Sequence, residues 1–397
     1  MEKTRIKGNV HYVGVNDRNK HRFEAMWPLP YGVSYNSYLI DDEMVALVDT
    51  VDICYFEVYL RKIKQVIGER PINYLIINHM EPDHSGSIRL IKQHYPEIII
   101  VGNKQTFGMI EGFYGVTGEQ YLVKEGDFLA LGHHKLRFYM TPMVHWPETM
   151  MTFDETDGVL FSGDGFGCFG TVDGGFLDTR INVDKYWGEM VRYYSNIVGK
   201  YGSPVQKALQ KLGGLPISAI CSTHGPVWTE NIAKVIGIYD RLSRYDADEG
   251  VVIAYGSMYG NTEQMAEAIA EELSAQGVKN IVMHNVTKSH PSYIIADIFR
   301  YKGLIIGSPT YSNQIFPEVE ALLSKILLRE VKGRYLGYFG SFTWAGAAVK
   351  RLAEFAEKSK FELVGDPVEM KQAMKDLTYT QCENLARAMA DRLKKDR

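Results

Sequence analysis

The sequence predicts two α/β domains in tandem, a layered sandwich of strands and helices over residues 1–248 and a doubly wound parallel sheet over residues 249–397. Three observations carry this reading. The chain has 397 residues, enough for two or three domains of ordinary size. A polar stretch, Arg244-Tyr-Asp-Ala-Asp-Glu-Gly250, ends in Gly and precedes a fresh apolar run, Val251–Tyr255. Before that point β-type runs cluster with scattered helical patterns. After it strands and helices alternate regularly.

In the first piece the β-type runs are Ser37–Ile40, Met44–Asp49, Tyr74–Ile77, Ile98–Val101, Leu136–Met140 and Val159–Ser162. Helical patterns fall at 55–67, 86–94 and 184–199. The second piece reads strand 251–255, helix 260–275, strand 280–284, helix 291–299, strand 303–307, helix 317–327, strand 335–340, helix 345–357, strand 361–365 and a last helix near 377–394. Five strands with interleaved helices form a doubly wound parallel sheet.

Composition narrows the function. Hydrophobic residues are 45% and charged residues 23%, a globular balance that excludes disordered and fibrous classes. Lys plus Arg (44) nearly balances Asp plus Glu (48), so no electrostatic case arises for nucleic acid or an anionic membrane. No apolar run approaches the ~20 residues of a membrane span, and the first residues lack the apolar core of a signal peptide. Cys54, Cys168, Cys221 and Cys382 are far apart and form no CxxC. A disulfide scaffold, a zinc finger and a built-in rubredoxin or ferredoxin module are excluded. The expectation is a cytoplasmic protein with reduced thiols.

His79-Met-Glu-Pro-Asp-His84 follows the strand Tyr74–Asn78 and places His79, Glu81, Asp83 and His84 within six residues. Alternate residues leaving a strand point the same way, so several can converge. Imidazole mixed with carboxylate suits iron, manganese or zinc. His145 follows strand Leu136–Met140, Asp164 ends the run Val159-Leu-Phe-Ser-Gly-Asp, and His224 follows Ile217–Ser222. Four strands thus deliver ligand-type residues to one sheet edge, as a two-metal site with ions about 3.5–4 Å apart requires. A lone His at a strand end is most often a cap, a turn former or a solvated residue, and His94, His133, His134, His284 and His290 are read that way. Trp146, Phe166 and Phe169 suit a small uncharged substrate near the metals and suit ordinary core packing equally well.

At these residues the chain resembles the metallo-β-lactamase superfamily, whose hydrolases carry H-x-H-x-D-H, with His where this sequence has Glu81. A carboxylate there makes a harder, more anionic site that favours iron over zinc. The H-x-E-x-D-H variant resembles the flavodiiron proteins (A-type flavoproteins). The resemblance implies an αββα sandwich for the first domain. It also implies a diiron centre in which His79, Glu81 and His145 hold one iron, Asp83 and His224 hold the other, and Asp164 bridges. Family members differ over whether the residue at His84 binds metal.

The second domain opens with strand Val251–Tyr255 and then Gly256-Ser-Met-Tyr-Gly-Asn-Thr262 leading into a helix. Hydroxyls and free amides at a helix N-terminus form an anion site, and Gly256 and Gly260 allow tight turns. The loop lacks the Lys of GxxxxGK[ST]. It resembles the flavodoxin phosphate loop S/T-x-x-G-N-T, here Ser257, Met258, Tyr259, Gly260, Asn261 and Thr262. Two further loops stand at strand C-terminal ends, where doubly wound folds bind ligands. One contains Pro309, Thr310, Tyr311 and Asn313, and the other Ser341, Thr343, Trp344 and Gly346. Tyr311 and Trp344 suit stacking on an isoalloxazine, and exposed amides can bond its edge. These loops point to FMN in a flavodoxin-like domain.

The resemblance to flavodiiron proteins covers nearly the whole chain. It implies a soluble reductase of dioxygen to water, or of nitric oxide to nitrous oxide, at a non-haem diiron site fed through FMN. No further electron-transfer module is expected, so the resemblance implies an external donor, a rubredoxin-type protein or a reduced deazaflavin. Flavin and metal loops lie on separate domains, and the resemblance implies a head-to-tail homodimer or a dimer of such dimers. Two other readings compete. A dizinc hydrolase fused to a flavodoxin is opposed by Glu81. A non-catalytic FMN electron carrier would not consume gas.

Overall fold

The apolar runs before residue 230 close into two mixed sheets in the computed structural model, which describes residues 3–396. The first has seven strands in the order Arg5–Lys7, Val10–Tyr12, Tyr38–Ile40, Ala46–Val48, Tyr74–Ile76, Ile99–Gly102 and Gln120–Leu122. Pairing is antiparallel as far as Ala46–Val48 and parallel beyond it. The second sheet orders Phe128–Ala130, Lys135–Met140, Met150–Asp154, Val159–Gly163 and Ala219–Ser222. Ile40, Val48, Ile76 and Val101 of one sheet share a core with Phe138, Met150, Phe161 and Cys221 of the other. The helix Phe56–Ile67 buries Phe56, Tyr59, Leu60, Ile63, Val66 and Ile67, the spacing of a one-sided apolar stripe. The architecture is an αββα sandwich.

Strand direction positions the site. Lys135–Met140, Val159–Gly163 and Ala219–Ser222 run the same way, because two antiparallel pairings and one parallel pairing link them. Their C-terminal ends therefore share one edge, where the chain emerges into His145, Asp164 and His224.

Two helical patterns differ in detail from the sequence expectation. The stretch 86–94 is helical over Ile88–His94, and a separate short turn of helix, Pro82–Ser85, precedes it. Pro82 stands at the first helical position, where its missing N–H costs nothing. The stretch 184–199 is α-helical only over Asp184–Tyr193 and then widens into a π turn, Tyr194–Val198.

The chain divides into two compact units, one comprising residues up to Tyr194 with Tyr201–Ser243, the other Ser195–Lys200 with residues from Arg244 on. Within the second unit, Gly199 lies so close to Phe299 that a Cβ would sit 2.7 Å from the ring.

The second unit is a parallel sheet ordered Ile281–Asn285, Asp248–Tyr255, Tyr301–Tyr311, Tyr335–Phe342, then an edge strand in two pieces, Glu362–Leu363 and Val368–Lys371. This is the 2-1-3-4-5 order of the flavodoxin-like fold. The sequence places the last strand at 361–365 only. Gly365-Asp-Pro367 interrupts it, with Gly365 at φ 70° and Pro367 lacking a ladder donor, and the strand resumes beyond. Among the described residues no helix is long and apolar enough to cross a membrane.

Candidate metal centre and flavin cradle

Seven ligand-type side chains converge at the sandwich edge, and Asp164 lies at their centre. Its Oδ2 is 3.0 Å from His145 Nε2 and 3.8 Å from His79 Nε2. Its Oδ1 is 3.2 Å from His84 Nε2 and 3.5 Å from His224 Nε2. Glu81 Oε2 joins the first side, 3.2 Å from His145 Nε2 and 3.7 Å from His79 Nε2. Asp83 joins the second, with Oδ2 3.3 Å from His224 Nε2 and Oδ1 3.6 Å from His84 Nε2. One carboxylate therefore faces two groups of donors, one oxygen to each. All seven side chains are buried.

The neighbours fix which ring nitrogens point inward. His79 Nδ1 lies 2.6 Å from Glu148 Oε1, which also accepts the Met80 amide at 2.9 Å. His224 Nδ1 donates to the Ser34 carbonyl at 2.8 Å. Thr223 donates its hydroxyl to Asp164 Oδ1. Both His Nε2 atoms are thereby left facing the cluster, an orientation that such outer partners impose on metal-binding imidazoles.

Electrostatics favour cations here. Burial opposes ionising Glu81 and Asp164, but the adjacent imidazoles outweigh it and hold both carboxyls well below the usual range. Burial likewise opposes charge on His84, yet Asp83 and Asp164 push its pKa up to about 10. His145 is raised by Asp164 and Glu81 against the same desolvation. Burial raises Asp83. His79 Nε2, both Asp83 oxygens, both His84 nitrogens and His224 Nε2 are buried without a hydrogen-bond partner, where buried polar atoms are normally satisfied. Carboxylate and imidazole donors left unpaired around one carboxylate fit a pair of metal ions.

Aromatic rings surround the ligands. Trp146 meets His79 edge-on at 5.2 Å between centroids. Phe23 and Tyr193 lie 5.3 and 5.8 Å from the His224 ring, and neither was marked by any local motif. Phe169 stands one ring further out, against Phe23 and Tyr193. Phe166 packs on Tyr239. Of the histidines given ordinary roles, His290 caps the helix Pro291–Arg300 and His284 pairs with Asp297 at 2.9 Å. His134 is buried against Asp154 at 2.9 Å.

The second unit holds a cradle of about 370 Å³ at the C-terminal ends of its strands. Ser257, Met258, Tyr259, Asn261, Thr262, Pro309, Thr310, Tyr311, Asn313, Ser341, Thr343 and Trp344 of the expected set line it. Gly260 and Gly346 do not. Gly260, at φ 87°, instead starts the helix Asn261–Ala275, and a Cβ on Gly346 would meet Glu369 at 2.6 Å. Gln372 lines the cradle as well; it follows the half of the edge strand that the sequence does not reveal. Tyr259 and Trp344 are 90% and 82% exposed, flat apolar surfaces held beside free helix amides. That combination fits an aromatic ring system carrying a phosphate. Thr310 Oγ1 accepts the Ala347 and Ala348 amides at 3.0 and 3.3 Å, so part of its capacity serves the next helix.

Residues 33–225 match the family described as ODP family beta lactamase, and residues 253–384 match the flavodoxin family. An anaerobic nitric oxide reductase flavorubredoxin of Vibrio vulnificus is 32% identical over 363 residues, 90% of this chain and 73% of that protein. Rubredoxin oxygen:oxidoreductase of Desulfovibrio gigas superposes with a TM-score of 0.93 at 31% identity, over 98% of this chain and 97% of that one. The flavodiiron protein of Giardia intestinalis gives 0.91 at 26% identity, covering 98% and 97%. The chain belongs to the flavodiiron protein family, and it is an oxidoreductase whose cofactors are FMN and a non-haem diiron centre.

Proposed function

We propose that this protein reduces a diatomic gas, dioxygen to water or nitric oxide to nitrous oxide, with electrons from an external donor. The observation that carries the reading is Asp164, one carboxylate facing two donor groups. His79, Glu81 and His145 are assigned to one iron, Asp83, His84 and His224 to the other, with Asp164 between them. His84 is included because its Nε2 is directed at Asp164 and Asp83. The cradle residues are assigned to FMN, with the Ser257–Thr262 loop at its phosphate. When bound, the irons supply electrons and Lewis acidity, and FMN supplies one-electron relay. The protein's part is to hold the donors apart, orient the imidazoles through Glu148 and Ser34, and wall the site with Phe23, Tyr193 and Trp146.

The relatives' names point to both gases, nitric oxide in the flavorubredoxins and oxygen in the Desulfovibrio enzyme. A rubredoxin-type protein or a reduced deazaflavin is the proposed donor. A head-to-tail homodimer is proposed because flavin and metal residues lie in different units of one chain. A cytoplasmic setting accords with four unpaired cysteines. The test is gas consumption by the reduced, iron- and FMN-loaded protein, followed separately for each gas with electrodes. Turnover of either supports the reading. Turnover of neither, at full cofactor content, refutes it.

A further inference from the structure

We propose that Glu24 is the acid that delivers protons to the gas during reduction, from the wall of a cavity opening onto the metal centre. The inference rests on the reading above and deepens it. Dioxygen takes up four electrons and four protons to give two waters. Two nitric oxides take up two electrons and two protons to give nitrous oxide and water. Each reaction therefore needs a proton donor beside a site walled by aromatic rings.

Glu24 and Ala25 are the central residues of a tight turn closed by the Met26 amide on the Phe23 carbonyl at 2.9 Å. Both have positive φ, 47° and 57°, where Gly, Asn or Asp is the usual occupant. A strained non-glycine residue at a site is a pointer to function. The turn is anchored on both sides. Phe23, buried, packs its ring on His224, and Trp27, also buried, donates its indole N–H to Glu24 Oε2 at 2.9 Å. No other hydrogen bond to the Glu24 side chain is formed among the described residues, so Oε1 is free to face the cavity.

That cavity, about 610 Å³, is walled by Glu24 and by Glu81 and Asp83 of the ligand cluster. The other ionisable groups on its wall are engaged. Lys20 is held by the Tyr35 hydroxyl at 2.8 Å and by Asp52 at 3.2 Å. Arg89 bonds the Tyr114 carbonyl at 2.8 Å, and the Tyr114 hydroxyl bonds Ser85 at 2.7 Å. Glu24 is exposed to water on the cavity wall. Partial desolvation raises its pKa, the carboxylates of Glu81 and Asp164 raise it further, and the Trp27 indole and His145 act in the opposite direction. In each transfer the O–H bond of the Glu24 carboxylic acid breaks and an O–H bond forms on the reacting oxygen. The carboxylate left behind is reprotonated by hydronium from bulk solvent, relayed through water in the cavity.

The test compares wild type with Glu24→Gln, which keeps an acceptor for Trp27 but carries no acidic proton, and with Glu24→Asp. Iron and FMN content are measured first and are expected to match. Glu24→Gln is expected to lose at least tenfold in kcat with KM for the gas unchanged, and to lose the limb of the pH profile that Glu24→Asp retains. In infrared spectra of the resting protein, a carboxylic acid carbonyl band at mildly acidic pH should vanish in Glu24→Gln. An active wild type matched by Glu24→Gln at every pH overturns the role of Glu24 alone, as does an unchanged carbonyl band. A wild type inactive toward both gases overturns the function itself, and this role with it.

Discussion

Glu148 accepts from His79, Nδ1 to Oε1 at 2.6 Å, and both side chains are wholly buried. The carboxylate, held ionised by that imidazole against its own burial, directs the opposite nitrogen of His79 into the donor cluster. Removal of such a partner typically weakens metal binding 10–100-fold. Glu148→Ala is expected to lower iron affinity about 10–100-fold, read by dialysis against a graded chelator. Affinity equal to wild type would show that His79 needs no such support.

Asp164→Ala is expected to lose most of the iron, because each donor group would lose the oxygen facing it. His84→Ala should keep the iron assigned to His79, Glu81 and His145. Iron analysis with Mössbauer spectroscopy separates these outcomes. Full, magnetically coupled iron in Asp164→Ala would contradict the bridging assignment.

Trp344→Ala should weaken FMN binding by about 2- to 10-fold, the range of an aromatic contact worth 0.5–1.5 kcal/mol, without loss of iron. The double change Asn261→Ala with Thr262→Ala should weaken it further. Thr262 and Ser341 share a hydrogen bond at 2.8 Å that joins two of the three cradle loops. Flavin fluorescence after gel filtration measures both, and unchanged retention would remove these loops from the flavin site.

His134 supplies a pH dependence away from the cofactors. Burial lowers its pKa, but Asp154, Asp157 and Asp42 outweigh that and raise it above the ordinary value of 6.5. A raised folded-state pKa gives stability that is complete below the unfolded value and disappears as pH rises through the folded one. Asp154→Asn should therefore lower Tm more at about pH 6 than at about pH 9, by about 2 °C or more. An equal loss at both would mean the pair is not charged.

What could be read from the sequence was local. His79, Glu81, Asp83 and His84 lie within one turn of chain, and His145, Asp164 and His224 each follow an apolar strand, so strand direction alone brings them to one edge. Glu148, Phe23, Tyr193 and Glu24 escaped because what matters about them is tertiary. Glu148 reads as one more surface acid beside Pro147, and Glu24 as a loop residue, until folding sets them against distant segments. In the second unit the alternation of strands and helices fixes the sheet, and its loops fall at the strand ends. Gln372 was hidden by Gly365-Asp-Pro367, which splits the edge strand and makes its second half look like loop.

The central claim is that electrons leave the flavin for the gas through the metal pair. The direct measurement is stopped-flow reoxidation of the reduced flavin by nitric oxide and by dioxygen, in iron-loaded and iron-depleted protein of equal FMN content. Reoxidation at least tenfold faster with iron present, for one gas or both, is the predicted result. Equal rates with and without iron, for both gases, would contradict it.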